Sequence, residues 1–118
     1  MKFSMLKDKD VVVVELRGEV WGDWECVALK DIVIRMLRAG ERKFVIDLES
    51  IESLNSAGIG ILLAVQESVR RARGTLELCN VSERARRAFA ISDAWKDFQT
   101  YPTRTEAILA LEPSPPRV

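Results

Sequence analysis

The chain has 118 residues, enough for one domain and one core, in which folding buries roughly two thirds of the surface the unfolded form exposes. Apolar residues make up 47% and charged residues 31%, which argues against disorder over most of the length; 18 basic residues balance 18 acidic ones, so no net field recruits nucleic acid or anionic lipid. With no histidine there is no base for Ser-His-Asp or Cys-His catalysis, and two cysteines without CxxC spacing argue against zinc and haem, so the expectation is a non-enzyme without cofactor or metal.

Residues 2–7 and 11–17 are β-rich runs separated by the turn-prone Asp8-Lys9-Asp10 and predict an antiparallel hairpin, the second strand ending at Gly18. An irregular stretch with Trp21, Gly22 and Asp23 leads into a helix over about 25–39, on which Cys26, Leu29, Ile32, Val33, Met36 and Leu37 follow one-face spacing, with Gly40 just beyond its end. Lys43 to Leu48 has no polar residue between Phe44 and Ile46, which predicts a strand covered on both faces, as in a parallel sheet. A second helix begins near Ala57, places Ile61, Leu62, Val65, Val69 and Ala72 on one side, and stops at Gly74.

Thr75 to Cys79 alternates, with Glu77 opposite Leu76 and Leu78. Ser82 is placed to cap a helix running to about Ala90, a short piece with Trp95 and Phe98 follows, and the capping box Thr103-Arg104-Thr105-Glu106 opens a last helix to Leu111. Trp95 is expected to be buried. The order β β α β α β α, a short edge strand, then α predicts an α/β domain over 1–111, built on one mixed, mostly parallel sheet of four to five strands. The proline-rich tail, 112–118, is expected to be disordered. Met1 to Lys7 lacks the apolar stretch of a signal peptide and no segment approaches the ~20 apolar residues that cross a bilayer, so a cytoplasmic location without membrane insertion is expected.

Asn55-Ser56-Ala57-Gly58 follows the apolar strand and opens the second helix, where unpaired backbone N–H groups and the macrodipole favour an anion. A serine there either caps the helix or carries a phosphate. Gly58 and Gly60 either let another surface approach Ser56 or let the helix pack closely on the sheet; Gly58-Ile59-Gly60 lacks the rest of a dinucleotide loop. Trp21 and Trp24 fit an interface hot spot or a local core plug equally well. The carboxylates Glu19, Asp23 and Glu25, and Asp47, Glu49 and Glu52, read as exposed loop residues rather than as an acid–base pair. The arginines at 70, 71, 73, 84, 86 and 87 read as solvated helix faces.

Val12-Val13-Val14-Glu15-Leu16-Arg17-Gly18-Glu19, Phe44-Val45-Ile46-Asp47-Leu48, Leu54 through Leu62, and Gly74 through Val81, in that order and spacing, resemble the STAS domain of bacterial anti-sigma factor antagonists. The resemblance spans about residues 3–111 and implies helices packed chiefly on one side of the sheet. It further implies that Ser56 is phosphorylated by an anti-sigma factor that is a serine kinase, that a serine phosphatase resets it, and that the start of its helix, Asn55, Ser56, Ala57, Gly58, Ile59 and Gly60, forms the partner surface, to which Trp21, Asp23 and Trp24 are added by the place of their loop near the same sheet edge. The unphosphorylated form would bind the kinase and free the sigma factor; a weak homodimer is compatible with this. The family's aspartate before the serine is Asn55 here, and Trp21 occupies the place of another, for which Asp23 is a substitute through a shifted loop. The alternative is an unphosphorylated accessory subunit of a transporter or larger signalling complex, using the same helix as a fixed dock.

Overall fold

A computed structural model describes residues 1–112; the proline-bearing remainder of the expected tail lies outside the described residues. Five strands form one sheet in chain order: β1 (Lys2–Asp8), β2 (Val11–Val20), β3 (Lys43–Leu54), β4 (Thr75–Cys79) and β5 (Gln99–Tyr101). β1 runs antiparallel to β2, and every later pair is parallel. The helices are α1 (Trp24–Arg38), α2 (Ser56–Arg71), α3 (Glu83–Ile91) and α4 (Arg104–Ala110), with a 3-10 turn at Ala94–Asp97 before β5.

Because the parallel strands are added in one direction through right-handed crossovers, α1, α2 and α3 fall on the same face. There Val12, Val14, Leu16, Phe44, Ile46, Leu48 and Leu78 meet Leu29, Val33, Leu62, Val65 and Phe89 in the main core. Burial of each large side chain contributes about 1.5–3 kcal/mol. The opposite face, presenting Val11, Val13, Val45 and Cys79, is covered by α4 through Ala107, Ile108 and Leu111. β3 is therefore buried on both sides, as its unbroken apolar run predicts.

The first two crossover helices, α1 and α2, end in Schellman motifs. At α1, Gly40 takes φ +104 and Glu41 N–H donates to the Met36 carbonyl at 3.0 Å. At α2 the left-handed residue is Arg73, at φ 61, and Gly74 follows it with its N–H on the Val69 carbonyl at 2.9 Å. Gly74 is thus required by space, since a Cβ would lie 2.6 Å from the Arg42 carbonyl oxygen.

Two strands are longer than the sequence suggests. β2 passes through Gly18, at φ +84, to Val20, and β3 runs on to Leu54. Their pairing slips twice, between Glu15 and Arg17 and between Gly18 and Glu19, and each time β3 contributes an extra residue. Such bulges bend and twist a strand. The polar stretch Glu49 to Ser53 is consequently strand, not loop, and it delivers the chain to the start of α2.

Two further expectations change, for Asp47 and for Trp95. Asp47 is 1% exposed rather than a loop carboxylate. Arg104 binds it, with Nε at 2.9 Å and Nη2 at 2.8 Å from Oδ2, and also reaches Glu15 Oε2 at 2.7 Å; Asn80 Nδ2 and the Glu49 N–H donate to Asp47 Oδ1. The Asp47 carboxylate therefore ties the first bulge of β3 to α4. Glu77 is also buried, beneath α4's face of the sheet. Trp95 is only half-buried: it packs beside Phe89 at 5.8 Å, and Arg86 lies over its outer side, 5.0 Å from the ring centroid. Arg70 and Arg71 are engaged by Asp97 and Glu67. Cys26 and Cys79 are free buried thiols, and burial pushes Cys79 up to about 12.

Candidate functional site

The end of β2, the end of β3 and the loop before α1 converge on the first turn of α2. The Asn55 N–H donates to the Val20 carbonyl at 3.2 Å, and the same carbonyl lies against Gly58, where a Cβ would sit 2.0 Å from its oxygen. The loop presses from the side: a Cβ on Gly22, at φ +77, would come within 2.8 Å of the Ala57 Cβ. Trp21 Nε1 donates to Ser53 Oγ at 2.9 Å, laying the half-exposed indole across the end of β3.

The cap of α2 is Asn55, not Ser56. Asn55 has extended backbone, φ −118 and ψ 177, and its Oδ1 accepts the Gly58 N–H at 2.9 Å. Ser56 is the first helical residue, exposed, and its hydroxyl makes no hydrogen bond among the described residues. Asparagine caps as well as serine does, so the capping role that a serine could fill is already taken by its neighbour. The hydroxyl is left free at the partly positive end of a 16-residue helix whose first turn holds no acidic side chain.

The residues expected at a partner surface divide into two groups. Trp21, Asp23, Trp24, Asn55, Ser56, Ala57 and Gly60 are exposed. Gly58 and Ile59 are buried, Gly58 against Val20 and Ile59 in the main core at 2% exposure, so neither meets an approaching surface. Gly60 differs from Gly58 in that a Cβ there meets nothing within 4 Å, so packing does not require that glycine. Trp24 is 76% exposed and plugs no local core.

Asp23 is the N-cap of α1, its Oδ1 accepting the Cys26 N–H at 3.2 Å, while Oδ2 lies 3.4 Å from the Met1 amino group. Partial desolvation pushes its carboxyl up, but these hydrogen bonds and the adjacent positive charge outweigh that and hold it below the usual carboxylate range. Its role as a replacement aspartate beside Ser56 is therefore in competition with a structural one. Beside the site, β2 exposes Glu19, in register with Ser53 of β3. No group of three or more His, Cys, Asp or Glu side chains placed to hold a metal occurs among the described residues.

The STAS domain family model matches residues 2–107. The chain belongs to that family. A Bordetella bronchiseptica protein described as a candidate anti-sigma factor antagonist, BtrV, is 29% identical over 117 residues, covering 99% of this chain and all of its own. Among solved structures, an anti-sigma factor antagonist from Mycobacterium paratuberculosis is similar at 27% identity and TM-score 0.78, covering 93% of this chain and 92% of that one. The anti-sigma factor antagonist SpoIIAA in its unphosphorylated form superposes at TM-score 0.79 over 93% of this chain and 96% of its own; at 20% identity that likeness is one of fold. The STAS assignment agrees with the mixed five-stranded sheet and with three helices on one face. No helix among the described residues is long and apolar enough to cross a membrane.

Sequence reasoning missed three side chains that position the site and its strands, Ser53, Asp47 and Arg104. Ser53 was hidden in a stretch read as loop, although its position two residues before Asn55 places it beside the tryptophan loop once β3 is extended. Asp47 and Arg104 were separable from solvent residues by one signal: Asp47 shares its strand face with Val45, and an apolar face that continues into a carboxylate calls for a cation on the covering helix.

Proposed function

We propose that this STAS domain is an anti-sigma factor antagonist that acts in the cytoplasm by binding an anti-sigma factor, and that phosphate on Ser56 gates the binding. The observation that carries the reading is the division of labour between Asn55 and Ser56: the cap is supplied by the asparagine, and the serine hydroxyl stands free and exposed at the positive helix end. The partner is an anti-sigma factor with serine kinase activity, and a serine phosphatase restores the free hydroxyl. The partner surface comprises the exposed first turn of α2 with Trp21 and Trp24, large rigid side chains of the kind that anchor interfaces.

A phosphate at Ser56 adds about −1.5 to −2 charges. The unpaired N–H groups of α2 accommodate it within this protein, so the fold is retained. A partner surface without a dedicated cation at that point would have to bury the dianion unpaired, which opposes association. The switch thus needs no change of conformation.

The test is incubation of the purified protein with a purified cognate anti-sigma factor kinase and ATP. The expected result is a gain of one phosphate in intact mass, mapped to Ser56 and lost in Ser56→Ala. Ser56→Ala should keep partner binding and Ser56→Asp should weaken it. An unmodified Ser56, or binding indifferent to Ser56→Asp, overturns the gating and leaves a fixed docking surface.

A further inference from the structure

β1 forms one edge of the sheet, and its outer backbone groups are unpaired. The opposite edge is β5, only three residues long, a length too short to template another strand. β1 has seven residues, contains no proline, and pairs with β2 through seven consecutive positions without a bulge. Long, regular edges of this kind recruit further strands unless charges prevent it.

The charges on β1 do not prevent it; they select a register. Lys7 is already held by Glu41. Lys2 lies directly opposite Arg17 on β2, a like-charge cross-strand pair, and neither has an ion-pair partner among the described residues. Such pairs are destabilising. At the other end of the strand, Asp8 lies opposite Val11 and has no ion-pair partner among the described residues either.

We infer that the β1 edge is a self-association surface whose partner is a second copy of this chain, added antiparallel about Met5. Only the register centred on Met5 pairs all seven residues, and the same register sets Lys2 of each copy against Asp8 of the other. Ser4 then faces Leu6 of the other copy, covering part of a side chain that is 48% exposed in the monomer. Each Asp8 carboxylate arrives beside a Lys2/Arg17 pair, so each like-charge pair gains a counter-charge that it lacks in the monomer. The arrangement is isologous, as a two-fold dimer requires, and joins two five-stranded sheets into one. It uses an edge distinct from Ser56 and stands independently of the switch.

Sedimentation velocity of the full chain, from low micromolar to millimolar concentration, tests this. The wild-type mass should move from 13.3 kDa toward twice that value as concentration rises. Asp8→Lys and Lys2→Asp, each at an exposed position, should each weaken self-association about tenfold or more, because each sets two like-charge pairs across the interface. Mixed together the two variants should associate with one another, since their charges are complementary in this register and in no single-variant pair. A wild-type chain that stays at the monomer mass, single variants that self-associate as wild type does, or a mixture that stays monomeric overturns the proposal. Hydrogen exchange of the wild-type chain provides a check that needs no variant: the amides of residues 2–8 should slow with rising concentration, and unchanged exchange there refutes the pairing.

Discussion

Gly58 and Gly60 lie two residues apart on α2, and the same substitution should have opposite effects at the two sites. In Gly58→Ala the new methyl would sit 2.0 Å from the Val20 carbonyl oxygen and 2.7 Å from its carbon, whereas ordinary contact begins near 3.4 Å. The obstacle is backbone, so relief requires α2 and β2 to separate, which also stretches the Asn55 N–H bond to that same carbonyl. Overpacking of this kind costs about 1–3 kcal/mol and a weakened hydrogen bond about 0.5–1.5 kcal/mol. Better helix propensity returns about 1 kcal/mol. The net expectation is a loss of about 2 kcal/mol. In Gly60→Ala nothing lies within 4 Å, so only the propensity gain of about 0.5–1 kcal/mol remains. Urea unfolding with a common slope measures both, and thermal midpoints should diverge by roughly 4 °C per kcal/mol. A Gly58→Ala protein as stable as wild type would refute the close docking of α2 on β2. If Gly60 lies under the partner, Gly60→Ala should be the more stable protein and the weaker binder.

Three further outcomes are expected. Asn55→Ala should cost about 1 kcal/mol in urea unfolding by removing the cap of α2, whereas Ser56→Ala should cost much less; equal losses would return the capping role to the serine. Arg104→Met should cost about 3 kcal/mol or more by leaving the Asp47 carboxylate buried without its cation, with faster hydrogen exchange at the β3 bulge around Glu49, and Arg104→Lys should recover part of it. Glu77 has its Oε2 buried without a partner, and burial pushes its carboxyl up, against the weak hydrogen bond from Tyr101. Its protonated form is favoured by folding, so between the ordinary carboxylate value and the raised folded value the native state holds more protons and stability falls as pH rises. Glu77→Gln should therefore stabilise the protein at neutral pH by about 1–3 kcal/mol and flatten that decline, as followed by urea unfolding at several pH values.

The order of elements, the parallel core and the position of α2 were legible because apolar runs report burial: Phe44 to Leu48 reads as an interior strand and β-branched Val11 to Val14 as the second strand of a hairpin. The far half of β3 was illegible for a physical reason. Its two bulges move Ile51 and Leu54 three residues apart instead of two, and Glu49, Ser50, Glu52 and Ser53 supply the polarity of a loop. The site itself was half legible. Composition and spacing marked the helix start but not which of two adjacent polar residues would cap it, because Asn and Ser fill that position equally well and the choice depends on where β3 ends. Ile59 was assigned to the surface with its neighbours because the exposed arc of the first turn is narrow; one step around the helix reaches the core.

The strands of this sheet are laid down in chain order, and the order never reverses. Open α/β sheets hold their ligands in the crevice that forms where neighbouring crossovers part to opposite faces, and a sheet without a reversal has no such parting. A protein built this way projects the Ser56 hydroxyl instead of enclosing it. Under the proposed switch, the cavity, the nucleotide and the catalytic groups are the kinase's to supply, which is the architecture of a message and not of a reader.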